Sequence, residues 1–272
     1  MLLTGIQISL DKQKTASYTQ LMIANAAKKI GLTMILLIMF VGIANAAENG
    51  DGVKVTLGLK NWITTWTATP NGWPGKPDLT SPVVLITGPT VKLSYGKVYG
   101  GFSYTENVSK YNFEGNDGSK NIQFQYTRSD IDFLLGYFVH PNISLFLGYK
   151  YFTGSSNLKD STYNMGVHKG SGLVIGASFN LLIEKLYIVP YLNIAYMPLE
   201  GESQTNANPD TGRTTDLVTT YRLPGYVIEG GISTLPFHNF AASIGYKYQV
   251  MDWDNEARDT IRGATVSLNY LF

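Results

Sequence analysis

The sequence predicts an all-β protein, an antiparallel transmembrane β-barrel of ten strands, with eight or twelve as the alternative counts. Three observations carry this. First, the last nine residues alternate, apart from Leu271. Ala264, Val266, Leu268, Tyr270 and Phe272 fall on one face of an extended strand, and Thr265, Ser267 and Asn269 on the other. Such a strand suits a wall with lipid on one side and a polar lumen on the other. Second, Lys28 and Lys29 precede an apolar run over 30–43, and Ala44-Asn45-Ala46 supplies a small-residue cleavage pattern. The run is too short for the ~20 residues of a membrane-spanning helix, so residues 1–46 read as a cleaved export signal. The polar, unpatterned residues 1–21 fit a non-native extension ahead of a start at Met22, with an unusually long leader as the alternative. Third, no later segment is apolar enough to span as a helix. In lipid that leaves a closed barrel, because open sheet edges strand their backbone groups.

The strands follow in order over residues 47–272. The first covers 53–66, with Val53, Val55, Leu57 and Leu59 on its apolar face, and a Pro/Gly-rich loop follows. The second covers 84–95. Gly96-Lys97 then makes a two-residue hairpin turn, keeping Tyr95 in register with Val98, Gly100, Phe102 and Tyr104. A polar loop centred on Asn116-Asp117-Gly118 leads to the fourth strand, 122–139, which carries Ile131, Phe133, Leu135, Tyr137 and Val139 outward. His140-Pro141-Asn142 turns into a fifth strand bearing Leu145, Leu147, Tyr149 and Tyr151. Long polar loops are expected over 153–170 and 200–220. The remaining strands are expected near 173–181, 186–197, 221–234, 240–252 and 260–272. Short and long connections alternate, as in bacterial barrels whose short turns and both termini are periplasmic. The related runs Leu147-Gly148-Tyr149-Lys150-Tyr151 and Ile244-Gly245-Tyr246-Lys247-Tyr248 read as convergence on outward Tyr and inward Gly.

Inward parity collects the charges. Arg128, Asp130 and Asp132 share one lumenal stripe, and Lys92, Lys150, Glu229 and Lys247 also point inward. A base facing lipid at the midplane costs roughly 2–4 kcal/mol, so this placement is required as well as patterned. The turn geometry sets Asp132 opposite Lys150 and Glu229 opposite Lys247, as an ion-pair network or a selective constriction. Phe146, Phe152, Tyr187 and Tyr191 are expected to narrow the lumen, while Gly148, Gly176, Gly231 and Gly245 leave space. Arg262 has outward parity near the outer membrane edge, where it snorkels or meets lipid phosphates. Trp62, Trp66, Tyr126, Tyr151, Tyr196 and Trp253 are expected in an outer aromatic girdle. Tyr95, Tyr137, Phe237, Phe240, Tyr270 and Phe272 are expected in an inner one.

The net charge of +1, with 15% charged residues, argues against a nucleic-acid partner. Cysteine is absent and only three His occur, so neither a disulfide framework nor a transition-metal site is expected, and no cofactor. His140 and His238 fall in predicted turns. His168, in a predicted outer loop near Asp252 and Asp254, is the sole candidate catalytic base, and no catalytic residue is assigned.

The terminal dyad of Tyr270 and Phe272 resembles the carboxy-terminal signature of bacterial outer-membrane barrels, which implies recognition by the barrel-assembly machinery. The mature chain broadly resembles small Gram-negative barrels of the outer-membrane protein A, opacity-protein and porin-like groups. No Asp-x-His pair like that of the outer-membrane protease family occurs. The resemblance implies an outer-membrane location among its lipids. The leading functional expectation is a narrow passive channel for small polar solutes. The alternative is a largely closed structural or adhesive barrel whose extracellular loops bind ligands, and a hydrolase stands third.

Overall fold

In a computed structural model the described residues are 52–70, 79–116, 121–159, 164–207, 215–254 and 257–272. The predicted signal with Ala44 and Ala46, and the turn residues Asp117 and Gly118, lie outside them. The strands are β1 (Lys54–Pro70), β2 (Leu79–Thr80), β3 (Val84–Tyr95), β4 (Val98–Asn107), β5 (Tyr111–Asn116) and β6 (Asn121–His140). They continue as β7 (Ile143–Leu158), β8 (Asn164–Asn180), β9 (Ile188–Thr205), β10 (Leu217–Thr234), β11 (Phe240–Trp253) and β12 (Ala257–Leu271). All pairings are antiparallel, and β12 returns to β1 from Thr56↔Leu271 to Pro70↔Ala257, which closes the ring. β4 and β5 pair in succession along β6 and form one stave, while β2 is a two-residue ribbon on β1. The barrel therefore has ten staves.

Alternation explains the lower half of every stave. Leu59, Ile63, Phe133, Leu135, Leu145, Leu147, Ile175, Ile194, Ile228, Ile244 and Leu268 are all exposed on the outer surface. A continuous apolar belt of this kind requires a nonaqueous solvent, and closure leaves its backbone groups paired within it. Turn chemistry fits too: Gly96 takes φ +54° between paired Tyr95 and Val98. At the β10–β11 turn His238 and Asn239 both have positive φ, which Asn tolerates best.

The upper half departs from the sequence reading. The expected loop over 153–170 is strand up to Leu158 and again from Asn164, and that over 200–220 is strand up to Thr205 and from Leu217. Ahead of the expected turn at Asn116, β5 pairs with β6 from Tyr111↔Tyr126 to Asn116↔Asn121. The physical reason is common to all three. About ten tilted residues at ~2.5 Å each cross the ~25 Å apolar band. β1, β6, β9 and β10, at 17, 20, 18 and 18 residues, continue well beyond it. There the outer face turns polar and large apolar residues appear on the inner face, so the apolar-out pattern fades although the ladder persists. Tyr187 is a further correction: it sits at φ +53° after a short 3-10 turn, Glu184–Leu186, 72% exposed and outside the lumen.

The carboxy-terminus is tied into the seam. The Phe272 amide donates to the Val55 carbonyl at 2.8 Å. Outside, Phe240, Tyr270 and Phe272 form an edge-to-face ladder with centroids 5.0 and 4.7 Å apart. Deleting Phe272 removes that hydrogen bond and the Tyr270–Phe272 contact, and is expected to lower the yield of folded protein in the membrane at equal expression. Unchanged yield of the heat-modifiable form would contradict an assembly role for this residue.

Candidate functional site

The inner face is best read from the short-turn end upward. There Tyr99 and Ser144 share a hydroxyl hydrogen bond of 2.9 Å, and Lys92 lies 4.9 Å from the Tyr99 ring centroid. One level higher, Lys60 donates to both Glu229 oxygens at 2.8 and 3.1 Å, and Thr265 donates to the same carboxylate at 3.2 Å. The β1–β10 pair crosses the lumen, since β11 and β12 separate these strands in the ring. Lys247 lies 4.2 Å from the Trp62 ring centroid. It is in register with Glu229, yet Glu229 spends its charge on Lys60.

Above this lies a chain of four charges. Lys150 binds Asp132 and Asp130, each at 2.9 Å, and Asp130 also receives Arg128 through Nε at 2.8 Å and Nη2 at 2.9 Å. Asp132 and Lys150 are cross-strand partners on β6 and β7. The Arg128 guanidinium is 4.3 Å from the Phe152 ring and 5.5 Å from the Trp66 ring. Stacking on rings and pairing with a carboxylate through a planar fork is what distinguishes Arg from Lys at such a place.

The long-loop end of the interior is apolar. Trp62, Trp66, Tyr111, Phe113, Tyr126, Phe152, Met197, Leu199, Leu223, Met251 and Ile261 form one buried cluster, with Tyr111, Leu223, Met251 and Ile261 at 0% exposure. Trp66 meets Tyr111, Phe113 and Tyr126 edge-on at centroid distances of 5.3, 5.6 and 4.8 Å. Thr64 ties the Tyr111 hydroxyl at 2.9 Å. Below this cap is a cavity of about 620 Å³, lined by the lysines and carboxylates above and by residues of the short-turn end such as Thr234, Leu235 and Asn269.

No protein-family model matches this chain, and no curated protein matches it in sequence. Solved structures do match. The Escherichia coli outer-membrane protease OmpT superposes with a TM-score of 0.52 at 12% identity, over 82% of this chain and 97% of that one. This chain has the fold of a bacterial outer-membrane β-barrel. The translocator domain of the autotransporter NalP from Neisseria meningitidis gives a TM-score of 0.46 at 9% identity, over 88% of this chain and 96% of that one.

Within this outer-membrane barrel the sequence-derived candidates divide. Arg128, Asp130, Asp132 and Lys150 come together in one chain of contacts, Glu229 and Lys247 lie near Lys60, and Lys92 stands lower. Lys60 was missed, although it shares the parity of Trp62 opposite to outward Leu59. The outer girdle needs correction. Trp62, Trp66 and Tyr126 are buried inside, and Trp253 packs against Tyr221 at 4.7 Å, whereas Tyr196 is exposed outside. Arg262 is exposed on the outer face.

His168 also differs from expectation. It belongs to β8, with its ring 5.8 Å from Tyr126 and 6.0 Å from Trp253, and its Nδ1 is buried without a hydrogen-bond partner. Burial holds its pKa below the usual imidazole value. Nearby, Trp253 Nε1 donates to buried Asp259 at 2.8 Å. Burial raises the Asp259 carboxyl to about 6, and the indole hydrogen bond only partly offsets this. Among the described residues no group orients the imidazole through Nδ1.

Proposed function

We propose that this protein is a largely closed outer-membrane barrel, structural or adhesive in role, rather than a conducting channel or an enzyme. Its short-turn end and both termini face the periplasm, and its tall upper strands present loops outside the cell. The observation that carries this reading is the aromatic and aliphatic cap. Side chains from β1, β5, β6, β7, β9, β10, β11 and β12 meet across the interior at the long-loop end. Ions crossing such a layer lose their hydration without compensating polar groups, which is costly. Ten staves make a barrel only slightly wider than the eight-stranded case that side chains can fill. The charged network below then acts as a packed polar core, and the exposed upper strands carry whatever ligand or neighbouring surface is recognised.

Planar-bilayer recording of refolded, heat-modifiable protein tests this. No step conductance is expected from the native chain, while a Trp66→Ala/Phe152→Ala variant thins the cap and is expected to flicker open. A steady conductance from the native protein would overturn the closed reading in favour of the narrow channel.

A further inference from the structure

The barrel wall is taller along β10 than along β11, and the step leaves a strand edge without a neighbour. β10 pairs with β9 in unbroken register up to Leu217↔Thr205, whereas its pairing with β11 begins only at Gly225↔Met251. β11 ends at Trp253, and Asp254 turns away at φ +39°. One last rung crosses the step. The Asp254 amide donates to the Arg222 carbonyl at 3.2 Å, and the Arg222 amide donates to the Asp254 carboxylate at 3.1 Å. Both backbone groups of Arg222 therefore point to the β11 side. Alternate residues of a strand share that direction, so Thr220 and Val218 turn theirs to the same side. Among the described residues nothing pairs with them there. The run Leu217-Val218-Thr219-Thr220-Tyr221 carries no charge, and Leu217 and Val218 are 53% and 57% exposed. Solitary edges are ordinarily blunted by lysine, proline, a bulge or a cover, and these five residues include neither lysine nor proline.

An open cleft of about 800 Å³ adjoins this edge and is lined by Thr220 and Arg222. Its other charged walls are Lys169, Glu200, Glu202 and Asp254, so three carboxylates stand against two cations. Lys169 pairs with Glu202 at 3.3 Å, and Arg222 stands in register opposite Glu200. Asp254 meets no cation among the described residues. We infer that edge and cleft together form a peptide site. An extended segment of a partner protein adds to β10 as an antiparallel strand, in the line where β11 stops, and sets a basic side chain in the cleft. Val218 and Thr220 supply two backbone rungs roughly 7 Å apart, and the excess carboxylate selects lysine or arginine. The site deepens the adhesive reading and rests on it for the exposure of this end outside the cell. It does not depend on whether the lumen conducts.

The test is fluorescence anisotropy of a labelled heptapeptide, Val-Thr-Val-Lys-Val-Thr-Val, with refolded protein in uncharged detergent. Saturable binding is expected. Peptide residues opposite Thr220 and Val218 share the cleft face and turn their own amides to β10. N-methylation at the lysine is therefore expected to weaken binding at least about tenfold, and N-methylation at the valine after it to leave binding unchanged. Thr220→Pro removes an amide that faces away from β9, so the ladder survives while binding falls at least about tenfold. Heat modifiability confirms that the variant is folded, and the N-methyl peptides need no variant. Glutamine in place of the peptide lysine is expected to weaken binding. Absence of saturable binding to folded native protein overturns the site, as does equal binding by Thr220→Pro or by both N-methyl peptides. Equal binding of the glutamine peptide overturns the basic class. A native dimer that Thr220→Pro abolishes, without peptide binding, makes a second copy the occupant and overturns the partner peptide. Bilayer recordings on the same sample separate the two readings: steady conductance with peptide binding rejects closure alone, and silence without binding rejects the site alone.

Discussion

Replacing Asp130 by alanine is expected to destabilise the barrel by about 3–5 kcal/mol, the range for breaking a buried ion pair by removing one partner. Asp130 is the hinge of its network: it takes two hydrogen bonds from Arg128 and pairs with Lys150 at 2.9 Å, and all three are buried. Without it the guanidinium, whose Nη1 already lacks a hydrogen-bond partner, loses both hydrogen bonds to a carboxylate and is left against the Trp66 and Phe152 rings. Asp132→Ala is the matched control. Its side chain is 35% exposed and Lys150 retains Asp130, so a loss of about 1 kcal/mol is expected. Equilibrium denaturant titration in micelles measures both. Equal midpoints for the two variants would mean that Asp130 does not hold the network together.

The second large effect is on pH dependence. Asp259 lies thirteen residues above the chain end, some ~32 Å along the strand tilt and beyond the ~25 Å apolar band. Its folded carboxyl titrates at about 6 because burial disfavours the charged form, against 3.8 when free. The native state therefore holds this proton more tightly than the unfolded chain. The stabilisation is complete below pH ~4 and is lost as pH rises through about 6. By linkage the change amounts to roughly 3 kcal/mol. Asp259→Asn keeps an acceptor for the Trp253 indole without the ionisation. It is expected to be more stable than the native protein at pH 7.5 and to lack the decline between pH 4 and 6. His168 works in the opposite sense. Its folded pKa is depressed by burial, so its contribution is present above pH ~6.5 and falls away on acidification. Denaturation midpoints from pH 4 to 8 for the native and Asp259→Asn proteins decide the matter. Parallel curves would show that this carboxyl does not govern the decline.

The lower half of the barrel was legible because lipid imposes a rule that residues such as Leu135, Leu147, Ile244 and Leu268 obey one by one. Register was legible where a short turn fixed it, as for Asp132 opposite Lys150. The Lys60–Glu229 pair was not, since it spans the interior between strands that never pair, and register says nothing across that gap. The upper half was misread for a different reason. On β9, Leu192 and Ile194 face out, but Met197 and Leu199, of opposite parity, are buried within. On β12, Val266 and Leu268 face out and Ile261 faces in. The apolar residues change sides along one strand while parity is kept, so taking apolar as outward gives the wrong face beyond the lipid. Trp62 and Trp66 have inward parity, opposite to exposed Leu59 and Ile63, and were set in the girdle on residue type alone, because large aromatics near a membrane edge are ordinarily interfacial.

The cap also bears on assembly. The lipid-facing belt matures strand by strand, since each new stave buries its own outer residues in the bilayer. The cap cannot, because its members come from nearly the whole ring, including both β1 and β12. Trp66 and Ile261 stand in register across the β1–β12 seam, and both are buried in that cluster. A chain inserted but not yet joined at the seam leaves these side chains wet and unpacked. Packing of the upper interior thus rewards only the finished ring, and it holds the seam shut from inside once the first and last strands have met.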